Sequence, residues 1–383
     1  MSSQFNCKTA SCPGCFDCWG ISASSGSAVF QTDLRPFGIP YKGPFLGVKY
    51  VADGFLPYAE RLHGVMGCHG NAEEVRYNIG ERTISRRITP EVIEFTGRYG
   101  VVEKVHVEEF IDSPLGSPTV QPVVHTWYRK IPTETASLSC EGFFQHAARE
   151  VLKTYGLEGA VAAIRGIYRE SSEGRGVFLM EPFTNITLLN DALDGGMCNE
   201  DDVVSIISQI ALLLYILGVC LDMNHRDLKT NNVLLVPAAV PEMTVTVFGR
   251  TITIKKRWDV KLVDFGFACA GSGRRTIVGA TEFFPLADPC PKMGRDLFQF
   301  LTVLYCTPQC KATITEPLAG LFKQWLTIPG KDYMKFLDEV GKADSLDLVY
   351  LLLGDVNFVA PQCEPVVLLQ DCMKNFGHII KSV

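Results

Sequence analysis

Apolar and polar positions follow short strand-like patterns in one stretch of this chain and long helical ones in the next. Residues 92–95 and 101–107 are rich in branched side chains and flank a glycine-containing turn, which predicts a β-hairpin. Residues 112–122 hold three prolines and a glycine and read as a loop, followed by a strand over 123–131. Phe143, Phe144, Ala147, Ala148, Val151, Leu152 and Tyr155 recur at helical spacing, so residues 140–155 predict an amphipathic helix. Residues 177–180 form a short apolar strand that ends at Pro182. After it, apolar helical stretches dominate, apart from a strand-rich piece between Val233 and Val263 that contains a patterned hairpin at 244–254. Strands first and helices later predict an α+β protein, a β-rich lobe joined to a mostly helical one. Residues 1–30 are rich in Cys, Ser and Gly, residues 30–90 mix Gly/Pro punctuation with short patterned pieces, and neither stretch predicts a fold.

Composition changes this picture only at the margins. The chain has 383 residues, 47 % apolar and 20 % charged, enough for one large core or two adjoining ones. A net charge of -6 supplies no general attraction for nucleic acid, so no direct nucleic-acid partner is expected. The first twenty residues lack a basic segment followed by an apolar one. The 14 cysteines therefore read as free thiols in an intracellular, reducing compartment, cytoplasm or nucleus. Residues 203–221 run without a charge and meet the length test for a membrane span. A polar motif begins at His225, and a buried core helix has the same composition, so no membrane span is expected. Cys7, Cys12, Cys15 and Cys18 have two readings, a four-thiolate Zn2+ site or a thiol-rich tail; their spacing lacks the usual separation between two C-x2-C knuckles.

The chemistry concentrates in two motifs. His225-Arg226-Asp227-Leu228-Lys229-Thr230-Asn231-Asn232 precedes the apolar run Val233-Leu234-Leu235, and Asp264-Phe265-Gly266 follows Val260-Lys261-Leu262-Val263. D-F-G alone recurs by chance. Both motifs, in this order and each beside a strand-like run, resemble the catalytic loop and magnesium motif of the protein kinase superfamily. Phosphoryl transfer needs a carboxylate for the hydroxyl proton, a cation on the migrating group, and metal ligands. The resemblance gives these roles to Asp227, to Lys229, and to Asn232 with Asp264. Hard oxygen ligands suit magnesium, or manganese in its place.

The same resemblance implies an ATP site upstream. Gly97, Gly100 and Val102 fit the second glycine, third glycine and valine of G-x-G-x-x-G-x-V, with Phe95 where the first glycine would stand. Lys130 is the strand lysine for the phosphates, with Arg129 as neighbouring competitor. Glu150 is its expected helix partner and Glu141, in the first turn, the rival. Glu181 and Phe183 fall where the family's hinge bonds adenine, and Asp296 where an aspartate anchors the catalytic loop. The A-P-E segment of the family is missing.

The domains expected are an N-terminal extension at 1–90, a kinase N-lobe at 91–182 and a C-lobe at 183–383, a bilobal protein-kinase-like fold. Residues 223–224, the inserted hairpin and Arg295-Asp296-Leu297-Phe298-Gln299 resemble divergent kinases of large DNA viruses. The implied function is transfer of the ATP γ-phosphate to Ser/Thr hydroxyls of protein substrates. A pseudokinase scaffold and a small-molecule kinase are the alternatives.

Overall fold

The computed structural model describes residues 21–24, 27–30, 69–70, 74–79, 82–97, 100–112, 122–132, 138–169, 176–270, 277–278, 291–327, 347–355 and 357–382. Cys7, Cys12, Cys15 and Cys18 lie outside them, as do Arg98 and Tyr99 between the two glycines. The chain divides into two compact units. The first takes in residues 1–147, 162–182 and 274–283, the second residues 148–161, 183–273 and 284–383.

The first unit is built on a seven-stranded antiparallel sheet. Its strands are β1 (His69–Gly70), β2 (Glu74–Ile79), β3 (Arg82–Thr96), β4 (Gly100–Asp112), β5 (Val123–Pro132), β6 (Ile164–Arg169) and β7 (Gly176–Met180). Their order is β1-β2-β3-β4-β5-β7-β6. Alternation decides which side chains meet the core. Ile88, Val105, Val107, Trp127, Val177 and Leu179 cluster on one face, while Lys104 and His106 turn to the other. Burying each such apolar side chain contributes about 1.5–3 kcal/mol. Arg86 is accommodated at this face by stacking 4.8 Å over the Trp127 ring and pairing with Glu109 at 2.7 Å. The domain boundary expected between residues 90 and 91 needs correction, because it cuts β3 in mid-strand. Pairing along β3 is continuous with β2 on one side and β4 on the other.

Helix α1 (Leu138–Lys153) realises the predicted amphipathic stretch, with Phe144, Ala147, Ala148, Val151 and Leu152 all buried.

The second unit contains α2 (Leu189–Asp194), α3 (Glu200–Leu221), α4 (Arg295–Cys306), α5 (Pro308–Thr313), α6 (Glu316–Trp325), α7 (Asp347–Gly354) and α8 (Pro365–Asn375). Two small three-stranded sheets lie among its described residues. One joins β8 (Thr187–Leu188), β9 (Val233–Pro237) and β12 (Trp258–Leu262); the other joins β10 (Glu242–Val247), β11 (Arg250–Lys255) and β13 (Ile380–Ser382). The predicted inserted hairpin is β10–β11. Its turn residues Phe248 and Gly249 have φ of 46° and 79°, as tight hairpin turns require.

Helix α3 is the one helix among the described residues long and apolar enough to cross a membrane, yet 78 % of its apolar window is buried inside the protein. It starts in a capping box, where Asn199 accepts from the Asp202 N–H and Asp202 accepts from the Asn199 N–H, both at 2.9 Å. Two of its polar side chains serve the strands. Ser205 donates to the Lys255 carbonyl at 2.7 Å, and Gln209 bonds the Trp258 carbonyl and the Val260 N–H at 2.9 and 3.2 Å. These bonds make α3 the backing of β11 and β12. Cys198, Cys310, Cys363 and Cys372 are buried free thiols, whereas Cys269 is disulfide-bonded, against the free-thiol expectation.

Candidate active site

Asn232 and Asp264 lie 32 residues apart in sequence, and strand pairing cancels that distance. β9 begins directly after Asn232 and β12 ends just before Asp264. The two run antiparallel with Val233 opposite Leu262. The Val263 N–H donates to the Asn232 carbonyl at 3.2 Å, so both motifs emerge at the same end of one sheet. Asp264 then leaves the strand with φ 65°, ψ 68°, a left-handed conformation that costs a non-glycine residue about 1–3 kcal/mol. His225 ties the motifs a second time. Its Nε2 lies 3.0 Å from the Val263 carbonyl, and its ring packs on Phe265 at 4.8 Å between centroids.

The catalytic-loop backbone is held from below by α4. The buried Asp296 carboxylate accepts the N–H groups of His225 and Arg226 at 2.7 and 2.8 Å, and the Asn224 amide lies 3.4 Å away. Arg226 has φ 66°, so this carboxylate fixes a strained turn immediately before Asp227. The anchoring role implied for Asp296 is met by this geometry.

Asp227 is itself buried, and its carboxylate is surrounded by donors. The Lys229 ammonium lies 3.1 Å from Oδ1 and 3.0 Å from Oδ2. The Asn232 amide nitrogen donates to Oδ2 at 3.0 Å and to the Asp227 carbonyl at 2.8 Å. With its nitrogen committed there, Asn232 has its side-chain oxygen left to face a cation. One Asp and one Asn oxygen, completed by phosphate oxygens and water, fit what magnesium takes in such sites. No cluster of three or more His, Cys, Asp or Glu side chains suited to a metal forms among the described residues.

Sequence reasoning missed one residue. The Tyr350 phenol on α7 donates a hydrogen bond to Asp227 Oδ1. Burial, and then the charge of Asp227 and its hydrogen bond, hold the phenol well above the ordinary tyrosine range. No motif marks this tyrosine, since it reaches the loop from 123 residues downstream.

In the first unit, Lys130 and Val102 are cross-strand neighbours and so share a face of the sheet. Arg129 points to the opposite face and makes a buried ion pair with Glu103. That separates the two competing cations. Lys130 meets Glu141 at 2.6 Å, with Glu141 almost completely buried. The partner expected at Glu150 is therefore corrected to Glu141. Nine residues of helix place Glu150 about 13 Å further along the axis. The Gly97 N–H donates to the Gly100 carbonyl at 2.9 Å, closing the turn between β3 and β4. A Cβ at Gly97 would meet the Phe95 ring at 2.8 Å, so Phe95 occupies the space beside it.

The Glu181 N–H donates to the Ala163 carbonyl at 2.9 Å and its carboxylate pairs with Arg165 at 2.8 Å. In the second unit, the Lys261 ammonium lies 5.7 Å from the Phe183 ring centroid.

A model of the poxvirus serine/threonine protein kinase family matches residues 191–276, the stretch that carries both catalytic motifs. Probable kinase 098L of Invertebrate iridescent virus 3 is 31 % identical over 125 residues, which cover 31 % of this chain and 22 % of that protein. The chain thus spans about a fifth of that relative's length. It is similar to divergent viral protein kinases.

Proposed function

We propose that this protein is an ATP-dependent protein kinase of bilobal fold that transfers the γ-phosphate of ATP to Ser or Thr hydroxyls of protein substrates. The observation that carries the reading is the Asp227 carboxylate, clamped by Lys229 and Asn232 on a loop that Asp296 holds rigid. In this reading Asp227 orients the acceptor hydroxyl and takes its proton as the oxygen attacks phosphorus. Lys229 offsets negative charge on the migrating phosphoryl group, and its presence favours Ser/Thr over Tyr acceptors. Asn232 and Asp264 would hold magnesium, which would draw charge from the phosphates. Lys130, kept in place by Glu141, would bind phosphate oxygens beside Gly97, Gly100 and Val102. Glu181 and Phe183 would receive adenine through their backbone.

A pseudokinase is the second reading, and Phe95 favours it. Its ring crowds Gly97, where the family's glycines let phosphate approach the backbone. Incubation with labelled ATP, magnesium and a degenerate peptide library tests the choice. Transfer to Ser/Thr peptides that disappears in Asp227→Asn supports the enzyme. ATP binding without transfer to any acceptor supports the scaffold.

A further inference from the structure

Asp227 offers two carboxylate oxygens, and they are not equivalent. Both accept from Lys229, but Oδ2 also accepts from Asn232, so Oδ1 is the oxygen with a position left for an acceptor hydroxyl. Tyr350 donates to that same Oδ1. Its phenol makes the contact that a substrate Ser or Thr hydroxyl has to make before it can react.

The tyrosine is not there by chance of a loop. Val349 and Leu353 of α7 are buried, and the Lys292 ammonium donates to the carbonyls of Leu353 and Asp355, the latter at 2.9 Å. Phe358, just beyond α7, packs edge-on against Phe298 of α4 at 5.0 Å between centroids. Helix α7 is thus seated on the element that anchors the catalytic loop. Leu351 is 72 % exposed, so the opposite side of α7 lies at the surface.

We propose that Tyr350 is an autoinhibitory residue, a tethered hydroxyl that competes with protein substrates for Oδ1 of Asp227. The proposal rests on reading Asp227 as the group that receives the acceptor hydroxyl. While α7 is seated, the acceptor position is filled. Substrates gain access only in the fraction of molecules whose α7 has moved aside, which raises their apparent KM by the reciprocal of that fraction. Turnover, once a substrate is bound, is unchanged. Burial favours the protonated phenol, which keeps it a hydrogen-bond donor and a poor nucleophile, an occupant rather than an acceptor.

The test compares the full-length wild type with Tyr350→Phe and Tyr350→Ala, using a Ser/Thr peptide found by library screening, with Asp227→Asn as control. Tyr350→Phe removes a hydrogen bond to a charged group and should lower peptide KM about tenfold, with kcat and ATP affinity within about twofold of wild type. Tyr350→Ala, which also vacates the ring, should lower KM at least as far. Lys292→Met, which releases α7 without altering a group on Asp227, should shift KM in the same direction and stands in if the tyrosine variants fail to fold. A KM that stays put in the folded variants, or a fall in kcat, overturns the proposal; the fall would mark Tyr350 as a positioning residue. If Asp227→Asn abolishes transfer while KM is unmoved by Tyr350→Phe, the kinase reading stands and autoinhibition falls. No transfer by any variant overturns both.

Discussion

Replacing Asp296 with Asn changes one atom in a side chain that touches no substrate, yet it should disable the site. The carboxylate is 4 % exposed and accepts two backbone N–H groups, from His225 and Arg226, at 2.7 and 2.8 Å. A hydrogen bond to a charged acceptor contributes about 1.5–3 kcal/mol, so the pair is worth about 3–6 kcal/mol. An asparagine keeps one acceptor oxygen but turns an NH2 toward the other backbone N–H. One bond is lost and two donors face each other. The expected cost is about 2–4 kcal/mol, concentrated on the catalytic loop. Arg226 adds to the effect, because its left-handed backbone stores about 1–3 kcal/mol that the loop can release by relaxing. Asp227 follows directly, and misplacing a catalytic group by about 1 Å can cost roughly 10²-fold in rate. Denaturant midpoints, peptide phosphorylation and amide hydrogen exchange over residues 224–232 measure the three parts. Faster exchange, a lower midpoint and a rate loss of about 10² are expected. A variant with wild-type exchange and rate would show that Asp296 does not hold the loop.

Glu141→Gln should lower stability by about 3 kcal/mol, the low end for breaking a buried ion pair because Lys130 keeps some solvent contact, and should weaken ATP binding; Glu150→Gln should do neither. The reverse ranking in calorimetry would restore Glu150 as the partner. Asp227→Asn should reduce transfer by about 10²–10⁴ with Mg·ATP affinity kept, whereas Asp264→Asn should weaken magnesium-dependent nucleotide binding as well. Equal affinities for both variants in magnesium titrations would count against Asp264 as a ligand. Gln209→Leu strips bonds from the Trp258 carbonyl and Val260 N–H, and a drop of about 2–4 kcal/mol in unfolding free energy is expected; an unchanged midpoint would mean α3 does not brace β12.

The two motifs proposed as catalytic were legible because the proposed phosphoryl transfer would demand particular residue types at fixed spacing, and each motif abuts a strand with its own apolar signature. The α+β character and the inserted hairpin were legible for the same reason, a visible switch of period. What escaped the sequence depends on distance. Whether Lys130 meets Glu141 or Glu150 turns on where α1 docks, and the first-turn position of Glu141 suits a helix dipole just as well. The boundary at residue 90 failed because Pro90 looks like punctuation, yet it sits in β3 where the pairing with β4 shifts register. Tyr350 carries no local mark at all. Its meaning exists only once α7 is folded against the loop.

The pairing of β11 with β13 also bears on how the molecule is made. A chain leaves the ribosome from its N-terminal end, and Ile252 waits for Ser382, its partner across the sheet, through more than a hundred further residues. During that interval every residue of the proposed catalytic set has been synthesised, but β11 still presents an open row of N–H and C=O groups. Such an edge recruits strands from other chains, and long-range pairings of this kind form slowly. Translation that stalls before Ile380 would therefore release a product with both site motifs and an unsealed edge, a species prepared for aggregation.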